Sequence, residues 1–75
     1  MNDELKQAIA SELNVDPAEL TSDTVLQDLD YWDSVMILSM MVIIGESLGK
    51  EILPDEMVNL RTFGDIEALV ASKQS

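Results

Sequence analysis

Apolar residues recur along the chain at the spacing of α-helices, and no stretch alternates as a β-strand does. The clearest stripe is Leu5, Ile9 and Leu13, which recur every four residues. This stripe predicts a first helix from Asp3 to Leu13. Asn2 or Asp3 is suited to cap its beginning, because a side-chain oxygen there accepts a hydrogen bond from a backbone N–H group of the first turn.

A long connection follows, over residues 14–33. Asp16 followed by Pro17 predicts a short helical turn over residues 17–20. The scattered apolar residues of the connection are predicted to pack across the helices; they are Val15, Leu20, Val25, Leu26 and Leu29. So long a connection inside a compact domain is uncommon and often functional.

A second helix is predicted over residues 33–48, capped by Asp33, with Ser34 in its first turn. Gly49 is a natural stop for this helix. Gly45 lies inside it and weakens it by about 1 kcal/mol relative to alanine. This glycine indicates either close packing or an early end of the helix.

Two further helices complete the pattern. Pro54 opens a short third helix over residues 54–60, and a capping-box-like pair, Thr62 and Asp65, precedes a last helix over residues 64–72. The inward-facing residues of the last helix are predicted to be Ile66, Leu69 and Val70. The sequence therefore predicts an all-α bundle of three main helices and one short helix, with a long first loop.

The length of the chain, 75 residues, predicts a single domain over residues 1–75 with little room for a deep catalytic cleft. The sequence has no Cys and no His, so it lacks the usual base, nucleophile pairs and metal ligands. A metal-dependent hydrolase would need an all-carboxylate site, and the acidic residues are too dispersed to predict one. We therefore expect no metal and no catalysis by the chain itself.

Acidic residues outnumber basic ones by 15 to 4, and the formal net charge is −11. This charge disfavours nucleic acid and anionic membranes and favours basic protein partners, although acidity is equally typical of a small domain kept soluble by charge. The N-terminus has no signal-peptide pattern, and the longest apolar run, residues 35–44, is too short to span a bilayer. We expect a cytoplasmic monomer.

Candidate chemistry is concentrated in residues 29–36. A serine after an aspartate at the start of a helix is most often only part of the cap. Here Ser34 follows a long loop and precedes an apolar helix, in an acidic domain without catalytic residues. Without a base its hydroxyl is not a nucleophile, but another enzyme can modify it.

With these elements in place, the sequence resembles the acyl carrier protein family, including its peptidyl and aminoacyl carrier domains. The family's Asp-Ser-Leu motif appears as Asp33-Ser34-Val35, with valine in place of leucine. The resemblance covers nearly the whole chain, in register from the first helix through residues 52–56 to residues 60–66. A three-residue motif is weak evidence alone, but the motif in register with these elements is strong evidence.

The resemblance implies an acyl-carrier-like four-helix fold and a covalent cofactor. A phosphopantetheinyl transferase would move 4′-phosphopantetheine from coenzyme A to the Ser34 hydroxyl, and the thiol of the arm would carry acyl or aminoacyl groups as thioesters. The partners would be this transferase, acyl-loading enzymes and downstream biosynthetic enzymes. A phosphate at a helix N-terminus meets unpaired N–H groups and a favourable dipole.

The pathway stays open at this point. The Trp32-Asp33-Ser34 form and the uncharged second helix resemble small stand-alone carriers of specialised pathways more than the carrier of housekeeping fatty acid synthesis. Polyketide, nonribosomal peptide, lipid or envelope modification, and a D-alanyl carrier are the alternatives. The rival from another class is an unmodified acidic interaction domain that docks through its apolar second helix.

The second helix departs from the family, in which several acidic residues often lie on its exposed face. Here no charge occurs from Ser34 until Glu46. Helical spacing predicts four inward residues, Leu38, Met41, Ile44 and Leu48, with Ile37 and Met40 at the margin. The more exposed residues are predicted to be Val35, Met36, Ser39, Val42 and Ile43.

Such an apolar, methionine-containing face predicts an adaptable docking surface, with deeper burial or self-association as the alternative. Partner docking should then depend on Met36, Val42 or Ile43 more than on salt. The docking candidates are Met36, Ser39, Val42, Ile43, Asp30 and Trp32. Trp32 is also interpreted as a partly buried anchor of the loop.

An acidic cluster of Asp28, Asp30 and Asp33 precedes the serine. A calcium loop beginning at Asp28 would need glycine at position 33 and glutamate at position 39, so that motif fails. We interpret the cluster as a solvated acidic loop, with docking to a basic transferase as the functional alternative.

Overall fold

A computed structural model describes residues 1–74 as four α-helices in a bundle. The helices are α1 (Asp3–Leu13), α2 (Ser34–Leu48), α3 (Pro54–Met57) and α4 (Phe63–Gln74), with short 3₁₀ helices at Pro17–Glu19 and Leu26–Asp28. The predicted all-α class, with three main helices and one short one, is confirmed. No helix within residues 1–74 is both long and apolar enough to cross a membrane.

The first helix has the predicted boundaries. Asn2 caps it, with its side-chain oxygen accepting a hydrogen bond from the Leu5 N–H at 2.7 Å. Leu5, Ile9 and Leu13 are all buried, so the four-residue stripe is the face that packs on the core. Asn14 ends the helix in the left-handed conformation, at φ 59°, which asparagine tolerates better than most residues.

The core lies where α1, α2 and α4 meet. Its fully buried side chains include Ile9, Met40, Ile44, Phe63, Ile66 and Val70. Each side chain of this size stabilises the fold by about 1.5–3 kcal/mol when it leaves water.

The long loop, residues 14–33, is fastened to the approach of α4. The Leu26 N–H donates to the Arg61 carbonyl at 2.8 Å, and the Phe63 N–H donates to the Thr24 carbonyl at 2.9 Å. The Leu20 and Leu26 side chains are buried in the core. The loop therefore crosses the bundle in a fixed path.

One predicted loop anchor is wrong. Val25 pairs its backbone with Thr62 in an antiparallel arrangement and is exposed. Neighbouring side chains of an extended segment point in opposite directions, so burial of Leu26 turns Val25 outward. Val15 and Leu29 are half-buried against the core, as predicted.

The rotation of α2 differs from the prediction. Leu38, predicted to face inward, is exposed, whereas Met40, placed at the margin, is fully buried with Ile44. Met36 and Ile43, predicted to be exposed, are half-buried and pack against the core. A helix that is apolar on all sides has no polar face to fix its rotation, so its packing against α1, α3 and α4 decides which residues turn inward.

The remaining predictions for α2 divide in the same way. Val35 and Val42 are exposed, as predicted, while Ser39 is half-buried instead of exposed. Met41 and Leu48 lie half-buried against the core. The outward face is thus apolar but narrower than the sequence indicates.

The two glycines of α2 have distinct roles. A Cβ on Gly45 would lie 2.9 Å from the Lys50 carbonyl oxygen. Of the two alternatives for this glycine, close packing is therefore correct, and the helix continues to Leu48. Gly49 then ends it at φ 65°, as predicted.

The last two helices differ slightly from their predicted limits. α3 ends at Met57, because the chain turns there and the Leu60 N–H donates to the Met57 carbonyl at 3.2 Å. α4 begins at Phe63 and reaches Gln74, two residues beyond the prediction.

The predicted capping pair at the start of α4 is confirmed. The Asp65 N–H donates to Thr62 Oγ1 at 3.2 Å, and Asp65 Oδ2 accepts from the Thr62 N–H at 3.1 Å. The same oxygen accepts from the Arg61 N–H at 2.9 Å. Asp65 therefore holds the segment to which the long loop is attached.

We predict that Gly64→Ala destabilises the domain. The Gly64 N–H donates to the Ser22 carbonyl at 3.0 Å, and a Cβ at this position would lie 2.9 Å from that oxygen. Alanine is intrinsically favoured over glycine in a helix. However, its Cβ would push the Ser22 backbone away from residue 64, and the free energy of unfolding should fall by about 1 kcal/mol. Urea denaturation measures this loss, and an unchanged midpoint would show that the loop moves aside without cost.

A second prediction concerns pH. The backbone N–H groups of Arg61 and then Thr62 lower the pKa of Asp65 below its ordinary value of 3.8. A carboxyl whose pKa is lowered in the folded state stabilises the fold at pH values above its pKa in the unfolded state. This stabilisation is lost as the pH falls through its pKa in the folded state. Asp65→Asn should therefore lower the urea midpoint near neutral pH, and the difference should shrink at about pH 2. An equal difference at both pH values would contradict this.

Candidate functional site

Ser34 is the first residue of α2 and is exposed. Asp33 caps the helix, as predicted, and its carboxylate accepts a hydrogen bond from the Met36 N–H at 2.9 Å. The cap fixes the first turn, so the Ser34 side chain lies at a defined point at the edge of the bundle.

The loop before Ser34 is anchored from the inside. Trp32 is half-buried and packs against the core, as its interpretation as an anchor requires. The backbone N–H of Trp32 donates to the Leu29 carbonyl at 3.3 Å, and the backbone N–H of Asp33 donates to the Tyr31 carbonyl at 3.0 Å. These contacts hold the chain just before the helix and leave the serine outside.

The Ser34 hydroxyl and the adjacent backbone suit a phosphoester. Within residues 1–74 the hydroxyl makes no hydrogen bond, and neither the Ser34 nor the Val35 N–H has a partner. The first N–H groups of a helix have no intrahelical acceptor, and the helix dipole favours an anion there. A phosphate oxygen on the serine would therefore find two donors.

The same surroundings contain no base for the serine. Its hydroxyl contacts no titratable group by a hydrogen bond within the described residues, and the Asp33 carboxylate already accepts from Met36. Among the described residues, the site therefore presents an exposed hydroxyl with no hydrogen-bonded base to activate it.

The acidic residues before the serine are all in solvent. Asp28, Asp30 and Asp33 are exposed, which agrees with a solvated acidic loop. They place negative charge beside Ser34, where a basic partner is attracted and an acidic one repelled.

An exposed row of apolar side chains runs along α2 from the serine. We call it the apolar stripe: Val35, Leu38 and Val42, which are 71%, 59% and 58% exposed. Their spacing of three and four residues keeps them on one side of the helix. Isolated exposed apolar residues are ordinary, whereas large contiguous apolar patches often form binding surfaces, so this row is a candidate docking surface.

The stripe borders a surface groove of about 410 Å³ between α1 and α2. Three of the predicted docking residues, Ser39, Val42 and Ile43, line this groove together with Val35. Met36 lines an adjoining hollow that also includes Ser39 and Val35. The structure thus brings four of the six candidates to one surface.

The other two candidates lie apart from the groove. Asp30 borders a separate hollow with Leu29 and Asn14, and the Trp32 side chain packs toward the core. Asp30 therefore offers charge near the site, whereas Trp32 offers little side-chain surface to a partner.

Three residues of this surface were missed from the sequence. Leu38 was assigned to the core because an apolar helix gives no rotational signal. Tyr31 is 59% exposed and lines the hollow beside Asp33. Its position just before the Asp33-Ser34-Val35 motif was the sequence signal that could have identified it. Glu12 lies across the groove on α1. It is not among the buried apolar positions of that helix, and this was the signal that its side chain faces outward.

Comparison with known proteins identifies relatives. The sequence pattern of a family described as the phosphopantetheine attachment site matches residues 3–70. The acyl carrier protein MbtL of Mycolicibacterium paratuberculosis is 36% identical over 70 residues, which cover 93% of this chain and 79% of that protein. MbtL of Mycobacterium bovis is 35% identical over 69 residues, covering 92% and 82%.

A similarity of the same strength extends to large synthases. The non-reducing polyketide synthase rdc1 of Metacordyceps chlamydosporia is 35% identical over 66 residues, which cover 88% of this chain but only 3% of the synthase. The match is therefore to one small segment of that protein.

We predict that Asp33→Ala destabilises the domain by about 1 kcal/mol, because Met36 loses its acceptor at the helix start. Asp33→Ser is the matched control, since serine also caps helices well and should restore most of the loss. Urea denaturation compares the three proteins. Equal loss in both variants would mean that the charge, and not the cap, stabilises this turn.

Proposed function

This chain belongs to the acyl carrier protein family, whose members carry a covalently attached phosphopantetheine, and we propose that the arm is attached at Ser34. The observation that carries the proposal is the exposed, unbonded Ser34 hydroxyl at the N-terminus of α2. It lies within the family match of residues 3–70 and in the Asp33-Ser34-Val35 motif. Residues 1–75 would form one attachment domain.

In the proposed attachment step, Ser34 Oγ forms a bond to the phosphorus of coenzyme A that bears the pantetheine. The pyrophosphate P–O bond breaks, and adenosine 3′,5′-bisphosphate leaves. The serine proton passes to a base of the phosphopantetheinyl transferase, since no side chain within residues 1–74 forms a hydrogen bond with the Ser34 hydroxyl. The product is a phosphodiester at Ser34.

After attachment, the backbone and side chains around Ser34 would hold the base of the arm. The N–H groups of Ser34 and Val35 are available to bind a phosphodiester oxygen at the helix N-terminus. The Asp33 cap and the inward Trp32 keep the base of the arm in place. The thiol of the bound arm supplies the thioester chemistry that holds the cargo.

We further propose that the cargo is an acyl group in a specialised biosynthetic pathway, with polyketide assembly as the first choice. The names of the relatives, acyl carrier protein and polyketide synthase, support acyl over aminoacyl cargo. The partners are then the transferase, an acyl-loading enzyme and the enzymes that act on the thioester. The net charge of −11 opposes self-association and supports a monomer.

A second candidate function is favoured by one observation, the apolar stripe of α2. An unmodified domain that binds a partner through Val35, Leu38 and Val42 needs no arm. The two functions differ in whether Ser34 accepts the arm.

We predict a gain of one phosphopantetheinyl group when the protein is incubated with coenzyme A, Mg²⁺ and a broad-specificity phosphopantetheinyl transferase. Intact-mass measurement should show the gain in the wild type and in Ser47→Ala, in which an exposed serine of the same helix is replaced. Ser34→Ala should show none, because it lacks the acceptor oxygen.

Two results would contradict the proposal. A gain in Ser34→Ala would place the arm on another residue. No gain in the folded wild type with several transferases would favour the unmodified interaction domain.

A further inference from the structure

A surface hollow of about 400 Å³ lies beside the proposed attachment residue, and we call it the serine hollow. Asp33 and Val35, the two neighbours of Ser34 in the chain, both line it. Met36 and Ser39 continue its α2 wall, which spans about 6 Å along the helix axis from Val35 to Ser39. Because both neighbours of Ser34 line the hollow, a group attached to this serine starts at its edge.

The opposite wall of the serine hollow is polar. It consists of Glu12 near the end of α1, Asn14 just after that helix, and Tyr31 in the long loop. The backbone N–H of Asp33 donates to the Tyr31 carbonyl at 3.0 Å, so this tyrosine is held close to the start of α2. The side chains of Asn14 and Tyr31 are exposed and form no hydrogen bond with another group within residues 1–74. Both are therefore free to bind a ligand.

The serine hollow combines hydrogen-bonding groups and apolar surface with negative charge. Glu12 and Asp33 contribute carboxylates, and none of the described residues that line it is Lys or Arg. Ser39 contributes a hydroxyl, while Val35 and Met36 contribute apolar surface. An anionic ligand is repelled here, whereas a neutral chain with amide and hydroxyl groups between apolar carbons finds partners for both kinds of group.

We propose that the serine hollow binds the pantoyl segment of the phosphopantetheine arm, which is the part next to the phosphate. This inference rests on the proposed attachment at Ser34. The segment has two methyl groups on one carbon, a hydroxyl and an amide, and it has no charge. Val35 and Met36 provide its apolar contact. Asn14 and Tyr31 provide hydrogen-bond partners for its oxygens.

Covalent attachment makes weak contacts sufficient. An arm fixed at Ser34 stays beside the hollow, and the effective concentration of a group on a short flexible tether is millimolar. A segment whose free Kd is of that order therefore occupies the hollow about half of the time. A shallow surface hollow is enough for such binding.

The size and chemistry of the hollow decide which part of the arm fits. Its α2 wall covers about one turn, so the thiol and its cargo, at the far end of the arm, lie beyond it. An apolar acyl chain would take water from Asn14, Tyr31 and Ser39 without replacing its hydrogen bonds. Free coenzyme A carries several negative charges and is repelled by Glu12 and Asp33. The neutral segment next to the serine is the part that matches.

The test compares ¹⁵N-labelled apo and holo wild-type protein by NMR, with conversion confirmed by intact mass. A phosphate alone shifts amides near its point of attachment, at residues 33–36. Binding in the hollow should also shift the backbone and side-chain amides of Asn14, which is distant from Ser34 in sequence. The methyl groups of the arm should give NOEs to the Tyr31 ring and the Met36 methyl group. Shifts confined to residues 33–36, without these NOEs, would overturn the proposal.

Matched variants locate the contact. Loss of the hydrogen bond from Tyr31 in Tyr31→Ala should raise the Kd about fivefold, so the holo-protein shift at Asn14 should fall about threefold from half occupancy. Tyr31 is 59% exposed, so this variant should fold. The control is Ser47→Ala, an exposed residue of α2 outside the hollow, which should keep the wild-type shift. An undiminished Asn14 shift in folded Tyr31→Ala would contradict the proposal.

A titration of the apo protein with free pantetheine keeps the two proposals separate. We expect shifts at Asn14 and Ser39 that saturate at millimolar concentration, and none there with N-acetylcysteamine, which has the thiol but lacks the pantoyl segment. The sequence has no Cys, so neither thiol can form a disulfide with the protein. Pantetheine binding without a mass gain in the transferase assay keeps the hollow as a pantetheine site and overturns attachment at Ser34. A mass gain without a shift at Asn14, from the arm or from free pantetheine, does the reverse.

Discussion

The fold depends on the attachment of the long loop to the approach of α4. Backbone hydrogen bonds join Leu26 to Arg61 and Phe63 to Thr24, at 2.8 and 2.9 Å, across more than thirty positions of the chain. Fixing the loop in one path costs conformational entropy at every residue, and these bonds together with the burial of Leu26 offset that cost. The end of this path is Asp33, where α2 starts. The position of the serine therefore follows from pairing made at the other side of the bundle.

Local chemistry made much of this fold predictable. The cap at Asp33, the left-handed stop at Gly49 and the Thr62–Asp65 pair each depend on residues within a few positions, and each lies where the sequence placed it. The pairing of the loop with residues 61–64 was not predictable, because it joins segments that are distant in sequence and gives no periodic signal. Sequence patterns therefore predicted the order of the helices and where most of them begin, but not how the loop joins them.

The rotation of α2 shows a second limit of sequence patterns. When Leu38 and Met40 are equally apolar, hydrophobic spacing cannot tell which one faces the core, and only packing against the other helices decides it. Ser34 could be identified as the candidate residue without knowing the rotation of α2 about its axis, because a residue in the first turn lies at the end of the helix. Predicting the surface next to Ser34 does require the rotation of α2. For this reason the sequence does not identify Leu38 as exposed, and it overestimates the exposure of Met36.

Charge and exposed apolar surface are distributed differently over this small domain. Its net charge of −11 acts at long range and attracts any basic surface, but such attraction is weakened by salt and discriminates poorly. Discrimination requires contacts at short range, and beside Ser34 the exposed side chains that can form them are apolar: Val35, Leu38 and Val42. Since these side chains lie on α2, whereas Glu12 lies on α1 and Asp28 and Asp30 lie on the loop, attraction and discrimination can change independently in sequence. In a carrier built in this way, substitutions on this helix face need not move the serine at its start.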